Sequence, residues 1–261
     1  VTTGLAGAGV VVTGGGGGIG AALARRFTAE GARVLVADLD SAAASAVADE
    51  VGGVAFAGDV ASEEGVERLR AAAVDAFGAI DVFCANAGIA PHGGPETPGE
   101  VWARAWEVNV MAHVRAANAL LPGWLARGHG HFVATVSAAG LLTSLGSAPY
   151  SVTKHGALAF AEWLSATYRH RGITVQAICP QGVRTKMLAD SGKAGDLIMG
   201  ASAIEPEQVA DALFAAMAEN RFLVLPHPEV ADYYAVRATQ TDRWLGGMNK
   251  LQRKVEQALD E

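Results

Sequence analysis

Along the 261-residue chain, short runs rich in Val, Ile and Phe alternate with longer stretches rich in Ala, Leu and Glu whose apolar positions recur at helical spacing. The short runs, at 10–13, 33–38, 54–58, 81–85, 131–137, 174–180 and 222–225, predict seven strands. Between them the periodicity predicts helices at 19–30, 42–51, 63–77, 101–127, 151–170 and 206–218. Such alternation implies β-α-β units, hence parallel strands joined by right-handed crossovers. The expected fold is a single α/β domain over 1–261, a doubly wound parallel sheet of about seven strands with helices on both faces. Ligands of these sheets bind beyond the carboxyl ends of the strands, so functional residues are expected at strand ends. Past residue 225, Met248, Leu251, Val255 and Leu259 fall at helical spacing and predict an amphipathic helix within a C-terminal extension, 226–261.

Composition narrows the function more than the fold. Hydrophobic residues make up 51% of the chain and charged residues 18%, which suits one large buried core. A net charge of −7 offers no broad cationic field for nucleic acid, and small-molecule partners are favoured. No stretch reaches the ~18 uninterrupted apolar residues of a membrane span, so no membrane partner is expected. Cys84 and Cys179 lie in apolar runs, in neither a C-x-x-C nor a metal-ligand spacing, and read as reduced thiols of a cytoplasmic protein. His129 and His131 bracket a glycine and His227 sits in LPHPEV, but no third ligand joins them, and no metal is expected.

Residues 10–20 read VVVTGGGGGIG, and two phosphate-binding patterns fit. Gly15, Gly17 and Gly20 satisfy G-x-G-x-x-G; Thr13, Gly14, Gly18 and Gly20 satisfy T-G-x-x-x-G-x-G. Either turn lets main chain approach a pyrophosphate while the helix starting near Ile19 points its first N–H groups at the anion. A phosphate-transferring loop would need Lys and Ser/Thr after the glycines, where Ile19-Gly20-Ala21 stands. About 20 residues on, Asp38 ends the run RVLVAD, where a carboxylate accepts hydrogen bonds from adenosine ribose hydroxyls. A helix-capping aspartate is the plainer alternative for Asp38. Its charge would repel a 2′-phosphate, Leu39 rather than a basic residue follows, and no Lys or Arg interrupts the glycines, so NAD(H) is expected over NADP(H).

Four further segments follow in order: CANAG at 84–88, Asn109 within a helix, VSAAG at 136–140 and YSVTK at 150–154. Together with TGGGGGIG they make the chain, as far as about residue 225, resemble the short-chain dehydrogenase/reductase family, whose fold is a Rossmann domain. The resemblance selects the register Gly14, Gly18, Gly20 and leaves Gly15, Gly16 and Gly17 as latitude in the loop. Reducing a ketone leaves an alkoxide to be protonated, and the reverse reaction needs a base. A phenol with a pKa of about 10 serves only if a nearby cation stabilises its phenolate. Tyr150 and Lys154 stand one helical turn apart on one face, so Lys154 is expected to lower the pKa of Tyr150.

The resemblance further implies that Lys154 holds the nicotinamide ribose, that Ser137 at its strand end binds the substrate oxygen, and that Asn109 supports a relay water. It places Asp59 and Val60 at the adenine ring, and Asn86, Ala87 and Gly88 in a turn beside the cofactor. The family segment P-G-x-V-x-T appears as PQGVRT, 180–185. Pro180, Val183 and Thr185 fit, with Thr185 on the nicotinamide carboxamide and Val183 offering main-chain groups to the same amide, but Gln181 displaces the glycine to Gly182.

The cofactor half is accordingly expected over 1–85, the catalytic and substrate half over 86–225, and a lid over 186–205. Segments framing the substrate contribute Leu141, Leu142 and Met187, an apolar lining that suits a hydrophobic secondary alcohol or ketone, cyclic or steroid-like. A 3-oxoacyl-thioester reductase is an alternative, although an acidic carrier would want a basic docking patch. So is a non-catalytic NAD(H)-binding regulatory protein, which would have no use for the full catalytic set. The family and the symmetry of most soluble enzymes imply a homodimer or homotetramer.

Overall fold

A parallel strand covered by helices on both sides has no polar face to present, and the central runs GVVVT and VFCA are buried at every residue. The computed structural model describes residues 4–260; the expected domain limits at 1 and 261 lie outside the described residues. The strands are β1 (Gly9–Thr13), β2 (Arg33–Asp38), β3 (Val54–Ala57), β4 (Val82–Ala85), β5 (Gly130–Thr135), β6 (Ile173–Ile178) and β7 (Leu223–Val224). All pair in parallel in the order β3-β2-β1-β4-β5-β6-β7. The helices are α1 (Gly18–Ala29), α2 (Ser41–Val51), α3 (Glu63–Phe77), α4 (Gly99–Trp106), α5 (Ala112–Arg127), α6 (Ala138–Leu141), α7 (Ala148–Tyr168), α8 (Lys186–Ala189), α9 (Gly192–Met199), α10 (Pro206–Ala218), α11 (Glu229–Thr239) and α12 (Thr241–Asp260).

Successive residues of each strand feed opposite faces, giving two cores. Val10 and Val12 pack with Leu23 and Phe27 of α1, Val47 of α2 and Leu213 of α10. Val11, Phe83 and Phe132 pack with Leu69 of α3, Trp124 of α5 and Leu164 of α7. Each such large side chain contributes roughly 1.5–3 kcal/mol through burial. Strand order reverses between β1 and β4, which opens a crevice at their carboxyl ends.

Four departures from the sequence pattern have local causes. The helix expected over 101–127 is divided by a π-helical turn, Glu107–Met111, which buries Asn109 completely. Helix α7 starts three residues earlier than the periodicity suggests, because Pro149 is accommodated in its first turn, and Tyr150 joins that turn. Strand β5 ends at Thr135, and Ser137 instead caps α6, its Oγ accepting from Ala139 N at 3.0 Å. Helix α11 escapes the pattern because it buries only Val230, whereas the expected terminal helix is present as α12 with Val255 inward.

Candidate active site

The crevice is closed on one side by the glycine turn. Gly14 and Gly18 take left-handed φ values of 60° and 51°, as the second of the two registers requires. At Gly20 a Cβ would stand 2.1 Å from the Gly14 carbonyl oxygen, so helix and turn meet at a distance only glycine permits. The three intervening glycines are not equivalent, which corrects the expectation that all are latitude. At Gly16 a Cβ would meet Ala43 at 2.7 Å and Asp38 Oδ2 at 2.9 Å, and at Gly15 it would meet Val36 at 2.7 Å; only Gly17 faces open space. Gly17 also precedes α1 with no side-chain cap, leaving the first N–H groups, those of Gly18 and Ile19 among them, without one.

Asp38 lies at the end of β2 with Oδ2 accepting from Gly16 N at 2.9 Å and Oδ1 from Asp40 N at 3.1 Å. Helix α2 is capped by Asp40, which accepts from Ala42 N and Ala43 N, so the capping alternative for Asp38 falls away. Leu39 beside it is exposed. Asp59 accepts from Ala61 N at 2.9 Å, with Val60 buried next to it. Across the crevice, Thr13 Oγ1 donates to the Cys84 carbonyl and accepts from Asn86 N and Ala87 N, while Asn86 Nδ2 donates to the carbonyls of Thr13 and Gly14. Thr13, quoted in the motif but given no role of its own, thus latches the turn after β4 onto the glycine turn.

The four residues expected at the reacting end come together. Ser137 Oγ, which donates to the Pro180 carbonyl at 3.5 Å, stands beside the Tyr150 phenol, and Lys154 Nζ lies 5.6 Å from the Tyr150 ring centre. A Cβ on Gly88 would stand 3.2 Å from Asn109 Oδ1 and 3.4 Å from Lys154 Nζ, which places both against the same turn. Lys154 is 3% exposed and donates to the Thr135 carbonyl at 2.9 Å. Burial draws its ammonium down to about 8. Burial also pushes the Tyr150 phenol above its ordinary value, with the neighbouring Ser137 hydroxyl opposing it. In the protein alone, desolvation is the largest influence on this phenol, and the support expected from Lys154 acts against it. Asn109 accepts from Ile89 N and donates to the Ile89 carbonyl and to Thr153 Oγ1, so both hydrogens of its amide are used. Four residues on, His113 is buried against Phe132 and held down to about 3, neutral at any physiological pH.

Beyond β6, Pro180 accepts at its carbonyl from Ala138 N, and Val183 is buried in the core on the α1 side. Thr185 packs on the glycine turn, its Cγ2 2.9 Å from where a Gly18 Cβ would be. The displaced glycine of PQGVRT stands where a Cβ on Gly182 would meet the Met199 carbonyl oxygen at 2.8 Å, and before it the Gln181 N–H donates to His227 Nδ1 at 3.1 Å, a partner that local sequence does not reveal. Of the expected substrate residues, Leu141 is corrected: its side chain is 1% exposed and belongs to the core with Phe132 and Leu164, leaving only its main chain near the site. Leu142 is partly buried against that core, and Met187 is exposed on α8. Helices α8 and α9 and the glycine turn border an open cleft of about 920 Å³ lined by Gly16, Gly17, Gly18, Thr185 and Lys193.

The chain as a whole is similar to known proteins. A family model described as short chain dehydrogenase matches residues 8–195. Over 232 residues the chain is 38% identical to a 1-deoxy-11-beta-hydroxypentalenate dehydrogenase of Streptomyces exfoliatus, covering 84% of this chain and 82% of that protein. It is similar to the crystal structure of a short chain dehydrogenase/reductase from Burkholderia phymatum in complex with NAD, with a TM-score of 0.85 and 26% identity over 92% of this chain and 96% of that one. It is also similar to a 7α-hydroxysteroid dehydrogenase complexed with NADH and 7-oxo glycochenodeoxycholic acid, with a TM-score of 0.78 and 25% identity over 85% and 92% of the two chains. The chain therefore belongs to the short-chain dehydrogenase/reductase family and is an oxidoreductase acting on hydroxyl groups.

Proposed function

We propose that this oxidoreductase couples NAD(H), taken in preference to NADP(H), to a hydrophobic, ring-bearing secondary alcohol or its ketone. The observation that carries the reading is the meeting of Ser137, Tyr150, Lys154 and Asn109 beside the crevice between β1 and β4. The cradle fits a dinucleotide: uncapped N–H groups at α1 suit a pyrophosphate, and Asp38 beside Gly16 suits ribose hydroxyls while repelling a 2′-phosphate. A hydroxypentalenate dehydrogenase among the relatives and a hydroxysteroid dehydrogenase among the structural neighbours support a cyclic substrate. Exposed Trp106 on α4, with Val152 and Trp163 on α7, supports assembly as a homodimer or homotetramer.

When bound, the nicotinamide supplies or accepts the hydride. Tyr150 gives its phenolic proton to the substrate oxygen during reduction and takes the hydroxyl proton during oxidation. Ser137 Oγ donates to the same oxygen and holds it against Tyr150. Because burial disfavours the phenolate, its formation depends on the cationic form of Lys154 beside it. Asn109, both amide hydrogens donated to Ile89 and Thr153, locks the loop after β4 beside Lys154.

Turnover of cyclic secondary alcohols and ketones, followed by absorbance of the reduced nicotinamide with each cofactor in turn, tests the proposal. Activity is expected with NAD(H), at a kcat/KM at least about tenfold above that with NADP(H). The reverse preference would overturn the cofactor assignment, and acyclic alcohols alone being accepted would overturn the substrate class.

A further inference from the structure

The two turns that flank the reacting centre are tied down from the C-terminal extension. After β6, the buried His227 ring accepts from Gln181 N–H through Nδ1 at 3.1 Å and faces the Ser202 carbonyl through Nε2 at 3.2 Å. This pair of contacts assigns the ring hydrogen to Nε2, so one imidazole joins the loop before Thr185 to the end of the lid. On α11, the Arg237 guanidinium donates to the Leu141 carbonyl and lies 5.6 Å from the Trp244 ring centre of α12. Leu141 is the last residue of α6, and Ser137 is the cap of the same helix. A cation at a helix carboxyl end satisfies a carbonyl that the helix itself leaves unpaired. Four residues of helix span only ~6 Å, so displacement at Leu141 passes through a single turn to Ser137. Helix α12 in turn packs against α9 of the lid.

We propose that Arg237 and His227 are positioning residues, and that through them the C-terminal extension sets the Ser137 turn and the base of the lid and so forms part of the substrate site. The inference rests on the role proposed above for Ser137. It differs from a purely structural role in what it predicts: a structural tie lowers the melting temperature and leaves the rate constants of the folded enzyme alone. A positioning tie moves the rate constants.

The test uses the full chain with Arg237→Met, Arg237→Lys and His227→Phe, measuring kcat, KM, NADH affinity by fluorescence and melting temperature. Arg237→Met is expected to lower kcat at least tenfold with NADH affinity within twofold of the parent, and Arg237→Lys, which keeps a donor but loses the planar fork, to recover between about a third and a half of the parent kcat. His227→Phe is expected to weaken NADH binding about tenfold, because the loop before Thr185 loses its tie; this is read without turnover. Unchanged kcat in Arg237→Met together with unchanged NADH affinity in His227→Phe would overturn the proposal, as would losses confined to melting temperature. If Arg237→Met does not fold, a kcat of Arg237→Lys indistinguishable from the parent overturns the part assigned to Arg237. A parent enzyme inactive on every cyclic alcohol would contradict the substrate reading instead, and the His227→Phe binding result would still decide whether the extension positions the site.

Discussion

The cofactor end and the reacting end of this site are built by different means. Around the glycine turn the shape is made by main chain: Gly20 passes within reach of the Gly14 carbonyl, Gly16 donates to Asp38, and Asn86 ties onto the carbonyls of Thr13 and Gly14. Around Tyr150 it is made by buried polar side chains, with Lys154 held by one carbonyl, Asn109 by Ile89 and Thr153, and Ser137 by its own helix. Backbone construction demands glycine but little energy. Side-chain construction is costly, since a buried ammonium gives up hydration that one hydrogen bond does not replace.

The largest expected effect exposes that cost. Lys154→Met is expected to lower kcat by about 10²–10⁴-fold, as loss of a group supporting acid/base catalysis does. The same change is expected to raise stability at neutral pH by on the order of 1–3 kcal/mol, because the burdened charge is gone. Lysine with a folded value of about 8, below its ordinary value, is destabilising while charged; stability of the parent therefore rises as pH increases from about 8 towards the unfolded value of about 10.4, and the variant lacks this rise. Thermal melts from pH 7 to 10 check both signs. A variant less stable than its parent would show that Lys154 holds the fold together and would erase the contrast between the two ends.

At the cofactor end, Gly18→Val is expected to weaken NADH binding about 100-fold, since the residue takes φ 51° and its Cβ would press on Thr185. Titration of intrinsic fluorescence reads this directly. Asp38→Ala is expected to bring the ratio of NAD(H) to NADP(H) affinity down by about tenfold, measured with both cofactors; a sharper preference for NAD(H) would place the ribose elsewhere. The smallest effect is expected from Gly17→Ala, within about twofold in cofactor affinity, because that position alone among the five glycines has open space around it and an extended φ of −174°.

The same contrast explains what was legible in the sequence. All seven strands and the six long helices are visible because parallel strands need unbroken apolar runs and covering helices need one apolar stripe. The glycine turn, Asp38 and the pair Tyr150 and Lys154 are visible because each is a residue type the chemistry requires at a fixed spacing. What escapes are ties between distant segments. Nothing near Gln181 announces that His227 will accept its N–H, and nothing near Leu141 announces Arg237. The π-helical turn at Asn109 leaves the apolar periodicity of 101–127 almost undisturbed, so it too is invisible along the chain. Leu141 reads as a pocket residue because it follows a strand end, but one turn of helix rotates it into the core.

The most direct test of the account is hydride transfer by Tyr150→Phe, followed as absorbance of the reduced nicotinamide with a cyclic secondary alcohol and NAD, alongside NADH titration of the same variant. Turnover is expected to fall by at least about 10²-fold while NADH affinity stays within about twofold of the parent, since the phenol contributes its proton and little to binding. A variant that turns over at the parent rate would contradict the assignment of Tyr150 as the acid/base.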